Sequence, residues 1–262
     1  VDCIQVADLG GLFLLPGSIK IAEYEVTLGI AQELSSTIHV MQNIPGAISF
    51  LFEETAKKYD ADYVLVDMNP SLGALNQNIL TTSNHFIVPM APDYFALMAA
   101  SSMSRFLPKW HTWAERAKSV KALQEADYPF PQVTPKFLGV IIQNYRPRKG
   151  LPTRAFQGWI NRISDTVENH LFPALASEGM TLPLDVYESA GLGQGKVLAK
   201  VADFNRLITK SQEHRVPVFS LDQQKLEQVG TVLDTSLRNV EDFRYVYSEL
   251  ADRVLRLTNE RN

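Results

Sequence analysis

The sequence predicts an α/β fold: a doubly wound, mostly parallel sheet flanked by helices, followed by a helical C-terminal tail. Three observations carry that reading. Short runs such as Tyr63-Val-Leu-Val-Asp67, Phe86-Ile-Val-Pro89 and Phe137-Leu-Gly-Val-Ile-Ile142 stay apolar at successive positions, as strands covered by helices on both faces do. Segments of helical period separate them, and strand–helix alternation is the signature of a parallel sheet. Hydrophobic residues make up 45% and charged residues 21% of the 262, which is enough apolar side chain for a packed core. No break in composition marks a boundary, so residues 1–262 read as a single domain with a helical extension from about 222 to 262.

Taken in order, Leu12-Phe-Leu-Leu-Pro16 reads as a buried strand ended by Pro-Gly. Helices are expected over Ile21–Leu34 and Ala47–Tyr59, the second entered through Pro45-Gly46. After the Tyr63–Asp67 strand come a short helix over Asn76–Thr82, the strand Phe86–Pro89 and a long helix from Ala96 to about Lys118. Three prolines between Ala126 and Pro135 make a loop. Beyond Phe137–Ile142, Phe156, Trp159, Ile160 and Ile163 recur at helical spacing, predicting a helix from Thr153 to about Leu171. A short strand over Met180–Pro183, a helix over Gln194–Gln212, a short strand at Pro217–Phe219 and two closing helices from Gln223 to Leu257 complete the expectation.

Bulk properties narrow the function. The formal net charge of -4 excludes a bulk polycation, so any nucleic-acid contact must come from a local basic patch. One cysteine, Cys3, excludes an internal disulfide and suits a reducing cytoplasm. No apolar run approaches the roughly 20 residues of a membrane span, and no secretory signal opens the chain. The five histidines, His39, His85, His111, His170 and His214, lack metal-ligand spacing.

Chemistry concentrates in Asp67-Met-Asn-Pro-Ser-Leu-Gly73. A carboxylate at the C-terminal end of a buried parallel strand stands where open α/β sheets bind ligands. Asp67 reads two ways: as a residue that only caps the Asn69-Pro70-Ser71 turn, or as a magnesium holder acting through water. The next segment adds weight to the second. Asp67-x-x-Pro70-Ser71-Leu72-Gly73, Asn76-x-x-x-Leu80 and Val88-Pro89-x-x-Pro92-x-Tyr94-Phe95-Ala96-Leu97 together resemble the ParA branch of the ParA/MinD-like (deviant-Walker P-loop) ATPases. Asn69 stands where that family has a first proline, and Asp93 where it has glutamate. Leu15-Pro16-Gly17-Ser18, with Glu23 and Glu25, and Phe137-Leu-Gly-Val-Ile-Ile-Gln-Asn-Tyr-Arg-Pro147 extend the likeness.

The resemblance implies a P-loop NTPase-like sheet that uses ATP and Mg2+. Asp67 would be the catalytic, metal-holding carboxylate, with Pro70 and Ser71 in a loop that responds to phosphate. Gln143 and Asn144 would contact adenine through amides that both donate and accept, the competing reading being a strand end bonded to its own loop. Pro183 would lie beside the base. The family's Lys-Gly-Gly-x-Gly-Lys-Ser/Thr phosphate cradle is absent from the 262 residues; Gly191-Leu-Gly-Gln-Gly-Lys196 is followed by Val197 and reads as a loop before a helix. The expectation is an N-terminally truncated fold whose Walker A part lies upstream, inactive as this chain alone.

Two basic clusters, Arg146, Arg148, Lys149 and Arg154, then Lys196, Lys200 and Arg206, are the candidates for non-specific DNA contact, against the plainer reading of a solvated charged face. The implied protein is a homodimeric, cytoplasmic and nucleoid-associated switch stimulated by a ParB-like partner, with no membrane role. Two alternatives stand beside it. One is a catalytically inactive scaffold in a multiprotein assembly. The other is a metabolic ATPase of the same superfamily, opposed by the lack of cysteine ligands and of an amidotransferase nucleophile.

Overall fold

The computed structural model describes residues 2–6, 10–34, 41–148 and 151–259. In chain order the elements are β1 (Ile4–Gln5), β2 (Phe13–Leu14), α1 (Ile21–Leu34), α2 (Ile44–Tyr59), α3 (Ala74–Thr82), β3 (His85–Met90), α4 (Tyr94–Ser119) and α5 (Lys121–Gln124). Then come β4 (Lys136–Tyr145), β5 (Pro147–Arg148), β6 (Leu151–Pro152) and α6 (Arg154–Thr166). A π-helical turn at Val167–Leu171 leads into α7 (Phe172–Ser177) and α8 (Leu184–Ser189). β7 (Val197–Ala202), α9 (Leu207–His214), α10 (Gln223–Leu226) and α11 (Gly230–Thr258) follow. The principal sheet is parallel, in the order β3-β4-β7, and flanked by helices. This is the α/β class expected.

The chain separates into two compact units, residues 1–84 with 109–135, and residues 85–108 with 136–262. In the first unit, α1, α2 and α3 pack through Leu28, Ile48, Leu75 and Ile79, with Tyr24 and Phe52 around them. A second cluster joins Ala114, Ala117, Leu123 and Phe130, with Trp113 against them. In the second unit, β4 is central and buried at Phe137, Leu138, Val140 and Ile142, which is why its sequence shows no polar alternation. The outer core joins Val201 of β7, Leu207 of α9, Leu226 of α10, and Leu233, Val240 and Phe243 of α11.

Five expectations need correction. Tyr63–Asp67 joins no sheet among the described residues, and Leu65 is 89% exposed. An apolar β-branched run states only that the segment suits a covered strand; no described strand lies alongside to supply the ladder. The Leu12–Pro16 strand shrinks to Phe13–Leu14, paired antiparallel with β1, with Leu14 exposed. Gln194–Gln212 is not one helix. Gly195 and Lys196 adopt left-handed φ of 75° and 48°, which breaks the helical path, and Val197–Ala202 pairs with β4 instead. Val-Leu-x-x-Val satisfies helical spacing as readily as strand alternation, so pairing decided it. Pro217–Phe219 forms a 3-10 turn at Val218–Ser220 rather than a strand, and Met180–Pro183 is reduced to one parallel bridge, Thr181 to Phe137.

Candidate functional site: an asparagine-braced acidic loop and a strand rim

In the first unit, Asp67 opens a loop whose shape is set by side chains. Ser71 N–H donates to the Asn69 carbonyl at 2.9 Å, and Ser71 Oγ–H to Asn69 Oδ1 at 2.7 Å, so the turn closes on itself, as Asx and Ser residues permit. The brace comes from α3. Asn76, buried, directs Nδ2 at the Asn69 carbonyl (2.6 Å), Asn69 Oδ1 (3.0 Å) and the Ser71 carbonyl (2.8 Å). One amide thus holds three acceptors that would otherwise compete for water.

The start of α3 is capped from outside. Its N-cap residue is Gly73, which offers no side chain, and Glu25 of α1 places Oε1 3.4 Å from the Leu75 amide. A carboxylate there meets the positive end of the helix dipole. A Cβ at position 73 would stand 1.8 Å from that Oε1. Glycine is therefore what lets the acid reach the helix end. In the sequence, Asn76 and Glu25 stand out only as parts of a family resemblance. The available signal was an asparagine inside an apolar helix, where it is a poor helix former and needs partners.

Asp67 itself is exposed and makes no ion pair among the described residues. Pro70 and Ser71 are exposed beside it. One open carboxylate next to a fixed turn fits magnesium, which takes one or two carboxylates and draws its remaining ligands from water and phosphate. For the phosphates themselves, the sequence offers no Gly-Lys-Ser/Thr loop.

In the second unit, β3, β4 and β7 run parallel, so their carboxyl ends share one rim. Gln143 pairs with Val201 and Tyr145 with Ala202, leaving Asn144 between them with φ +62°. That single-residue bulge with a left-handed asparagine turns an exposed amide out of the ladder at the rim of the central strand. Asp203 N–H donates to the Tyr145 carbonyl (2.9 Å), and Asp203 Oδ2 lies 3.8 Å from Arg146 Nε. At the end of β3, Asp93 Oδ1 accepts from the Ala96 amide (2.8 Å) and starts α4 as an N-cap acid. Pro183 does not join this rim. Thr181 bridges Phe137, and Gln143 lies roughly 20 Å farther along β4 at the strand's rise, while the chain turns into α8 directly after Pro183.

The basic candidates divide. Arg146, Arg154, Lys200 and Arg206 are exposed, Arg148 lies in β5, and Lys149 falls outside the described residues. Lys196 is buried. Its ammonium pairs with Glu168 at 3.1 Å and sits over the Phe172 ring at 4.7 Å. The Glu168 carboxylate also accepts from the Gly195 amide (2.8 Å). Burial works to raise the Glu168 pKa, but the Gly195 amide and the Lys196 ammonium outweigh it and hold the acid below its ordinary range. As placed, Lys196 closes the glycine-rich loop onto the π-helical turn and reaches no phosphate. Charge counting could not distinguish a buried lysine from an exposed one.

Comparison with known proteins agrees with the geometry only in part of the chain. Residues 2–118 match the family model described as AAA domain. The chain is 30% identical over 103 residues to the sporulation initiation inhibitor protein Soj of Bacillus subtilis (strain 168), a stretch that is 39% of this chain and 36% of that protein. No solved structure matches. The family-model match takes in the whole Asp67–Ser71 loop and the Asn76 that braces it, so what the chain shares with the AAA domain family and with Soj is a likeness over less than half of its length.

Proposed function

We propose that this chain is part of an ATP-dependent, homodimerising ParA-like switch that partitions or positions DNA or protein cargo. The observation that supports this best is the Asp67–Ser71 loop, an exposed carboxylate ahead of a turn that a buried asparagine holds in one shape. Preorganisation of that kind suits a group that must meet a metal-bound phosphate without rearranging. Asp67 would hold Mg2+ through water, and the cation would neutralise phosphate charge when bound. Pro70 and Ser71 would form the part of the loop that follows the γ-phosphate, while Gln143 and Asn144 would offer their amides to the adenine.

Arg146, Arg148, Lys149, Arg154, Lys200 and Arg206 would supply non-specific contacts to DNA phosphates. A ParB-like protein would stimulate turnover, and the protein would work in the cytoplasm, on the nucleoid. No helix among the described residues is long and apolar enough to cross a membrane. Each phosphate contact contributes about one unit of salt slope.

The test is magnesium-dependent ATP turnover and DNA retention by the full-length protein. Asp67→Ala should reduce turnover on the order of 100-fold, the scale of a lost preorganised charge contact. If turnover is measurable and Asp67→Ala leaves it unchanged, the assignment is wrong. If full-length protein neither binds nor hydrolyses ATP, the inactive-scaffold reading replaces it.

A further inference from the structure

A second cluster of ligand atoms lies in the second unit, away from the rim. Glu213 and His214 close the last turn of α9, and Glu227 follows α10. Their ligand atoms all lie within 4.8 Å of one another. The backbone positions are fixed, because Arg215 and Glu227 take left-handed φ of 54° and 52° as the caps of these two helices. Ser211 Oγ–H bonds the Val216 carbonyl and holds the turn between them.

A cation already occupies the middle of this arrangement. Lys210 Nζ lies 3.0 Å from Glu213 Oε2 and also contacts Glu227. Two carboxylates from separate segments therefore converge on one positive centre. The third group is unsatisfied. His214 Nε2 is shut off from solvent with no hydrogen-bond partner, and so is Oε1 of the adjacent Gln228. A nitrogen shut off from water without a partner keeps the full cost of its desolvation, and a metal ion is one group that would satisfy it. The C-terminal end of α9 favours positive charge at the same place.

We propose that Glu213, His214 and Glu227 form a binding site for a zinc-class divalent cation, which displaces the Lys210 ammonium and clips the end of α9 to the end of α10. Imidazole plus two carboxylates is a nitrogen–oxygen set that zinc accepts in tetrahedral geometry with water in the fourth place. Around such an ion, at about 2.0–2.2 Å, ligand atoms stand roughly 3.4 Å apart. The cluster therefore has to contract by about 1 Å, and Glu213 and Glu227, with side chains 52% and 59% exposed, are free to move that far. Magnesium, which prefers all-oxygen sites, would not be the ligand. The site is independent of Asp67 and of the proposed ATP chemistry.

The test is zinc titration of the metal-free full chain by calorimetry, with magnesium as the comparison metal. The expected result is one zinc per chain, bound in the micromolar range. His214→Ala and Glu227→Gln should each weaken binding at least 10-fold, the scale on which metal sites respond to lost support. Lys210→Ala should tighten it several-fold, because the resident competitor is gone while both carboxylates remain. Glu227→Gln exchanges a single atom and keeps the fold, so its affinity reads the site directly. No saturable zinc binding, binding indifferent to His214→Ala and Glu227→Gln, or weaker binding in Lys210→Ala would each overturn the proposal.

Discussion

Asn76 shows how much one side chain can determine. It sits inside α3, makes three hydrogen bonds to the loop after Asp67, and does so from a buried position. Replacing it by alanine would leave the carbonyls of the exposed Asn69 and Ser71 without the donor that holds them in one shape. Asn76→Ala should cost about 1–3 kcal/mol of stability, measured by urea denaturation. It should also lower any magnesium-dependent activity of the full-length protein without touching Asp67. An unchanged denaturation midpoint would show that water replaces the amide and that the loop needs no brace.

A half-buried imidazole gives the residue scale its pH dependence. Burial first, and then the charge of Lys136 opposite it on β4, hold the His85 pKa below the ordinary histidine value of 6.5. The folded protein thus binds this proton less readily than the unfolded chain. Its contribution to stability is fully present above pH 6.5 and is lost as pH falls through the folded value. Stability measured between pH 7 and 5 should fall less steeply in His85→Gln than in the parent; identical slopes would remove His85 as the cause.

At the scale of elements, contacts between backbones decide what the sequence leaves open. Asn43 Oδ1 accepts from the amides of Asp127 and Tyr128, and its Nδ2 donates to the Asp127 carboxylate. This pins the 127–129 segment onto the first turn of α2. A Cβ on Gly46 would come within 2.1 Å of the Tyr128 carbonyl and 2.6 Å of that of Pro129. Alanine gains up to about 1 kcal/mol in helix propensity, but overpacking against fixed backbone costs about 1–3 kcal/mol. Gly46→Ala should therefore destabilise by roughly 2 kcal/mol, read from the thermal midpoint, whereas Gly158→Ala, whose Cβ meets nothing, should not.

The same scale explains which elements could be read from the chain. α1, α2, α3, β3, α4 and β4 lie close to their expected positions because each carries a strong local period or an uninterrupted apolar run. β7 does not: its six residues satisfy two periods, and only the ladder to β4 selects one. The first turn of α8 was likewise hidden. Tyr187 anchors that helix by donating its hydroxyl to the Phe137 carbonyl, 50 residues away in sequence, and burial pushes its pKa up to about 12.

For the whole molecule, composition and motif order named an α/β fold and an acidic loop, and both are present. Asp67, Pro70 and Ser71 were legible as a site because their types and spacing are a local property. Their mutual geometry was not, since it depends on Asn76 and Glu25 arriving from two other helices. Of the DNA candidates, the sequence listed charges, but only packing showed that Lys196 spends its charge on Glu168 and two aromatic rings.

By itself, then, the sequence determined the fold class, the identity and order of most helices, and the chemical character of the Asp67 loop, because hydrophobic period and turn chemistry act between near neighbours. The tertiary structure alone decided that Tyr63–Asp67 joins no described sheet, that Val197–Ala202 is a strand, that Pro183 stands away from Gln143, and that Glu213, His214 and Glu227 meet. Those outcomes depend on segments far apart in the chain, and no local pattern carries the free energy of a contact with a distant partner.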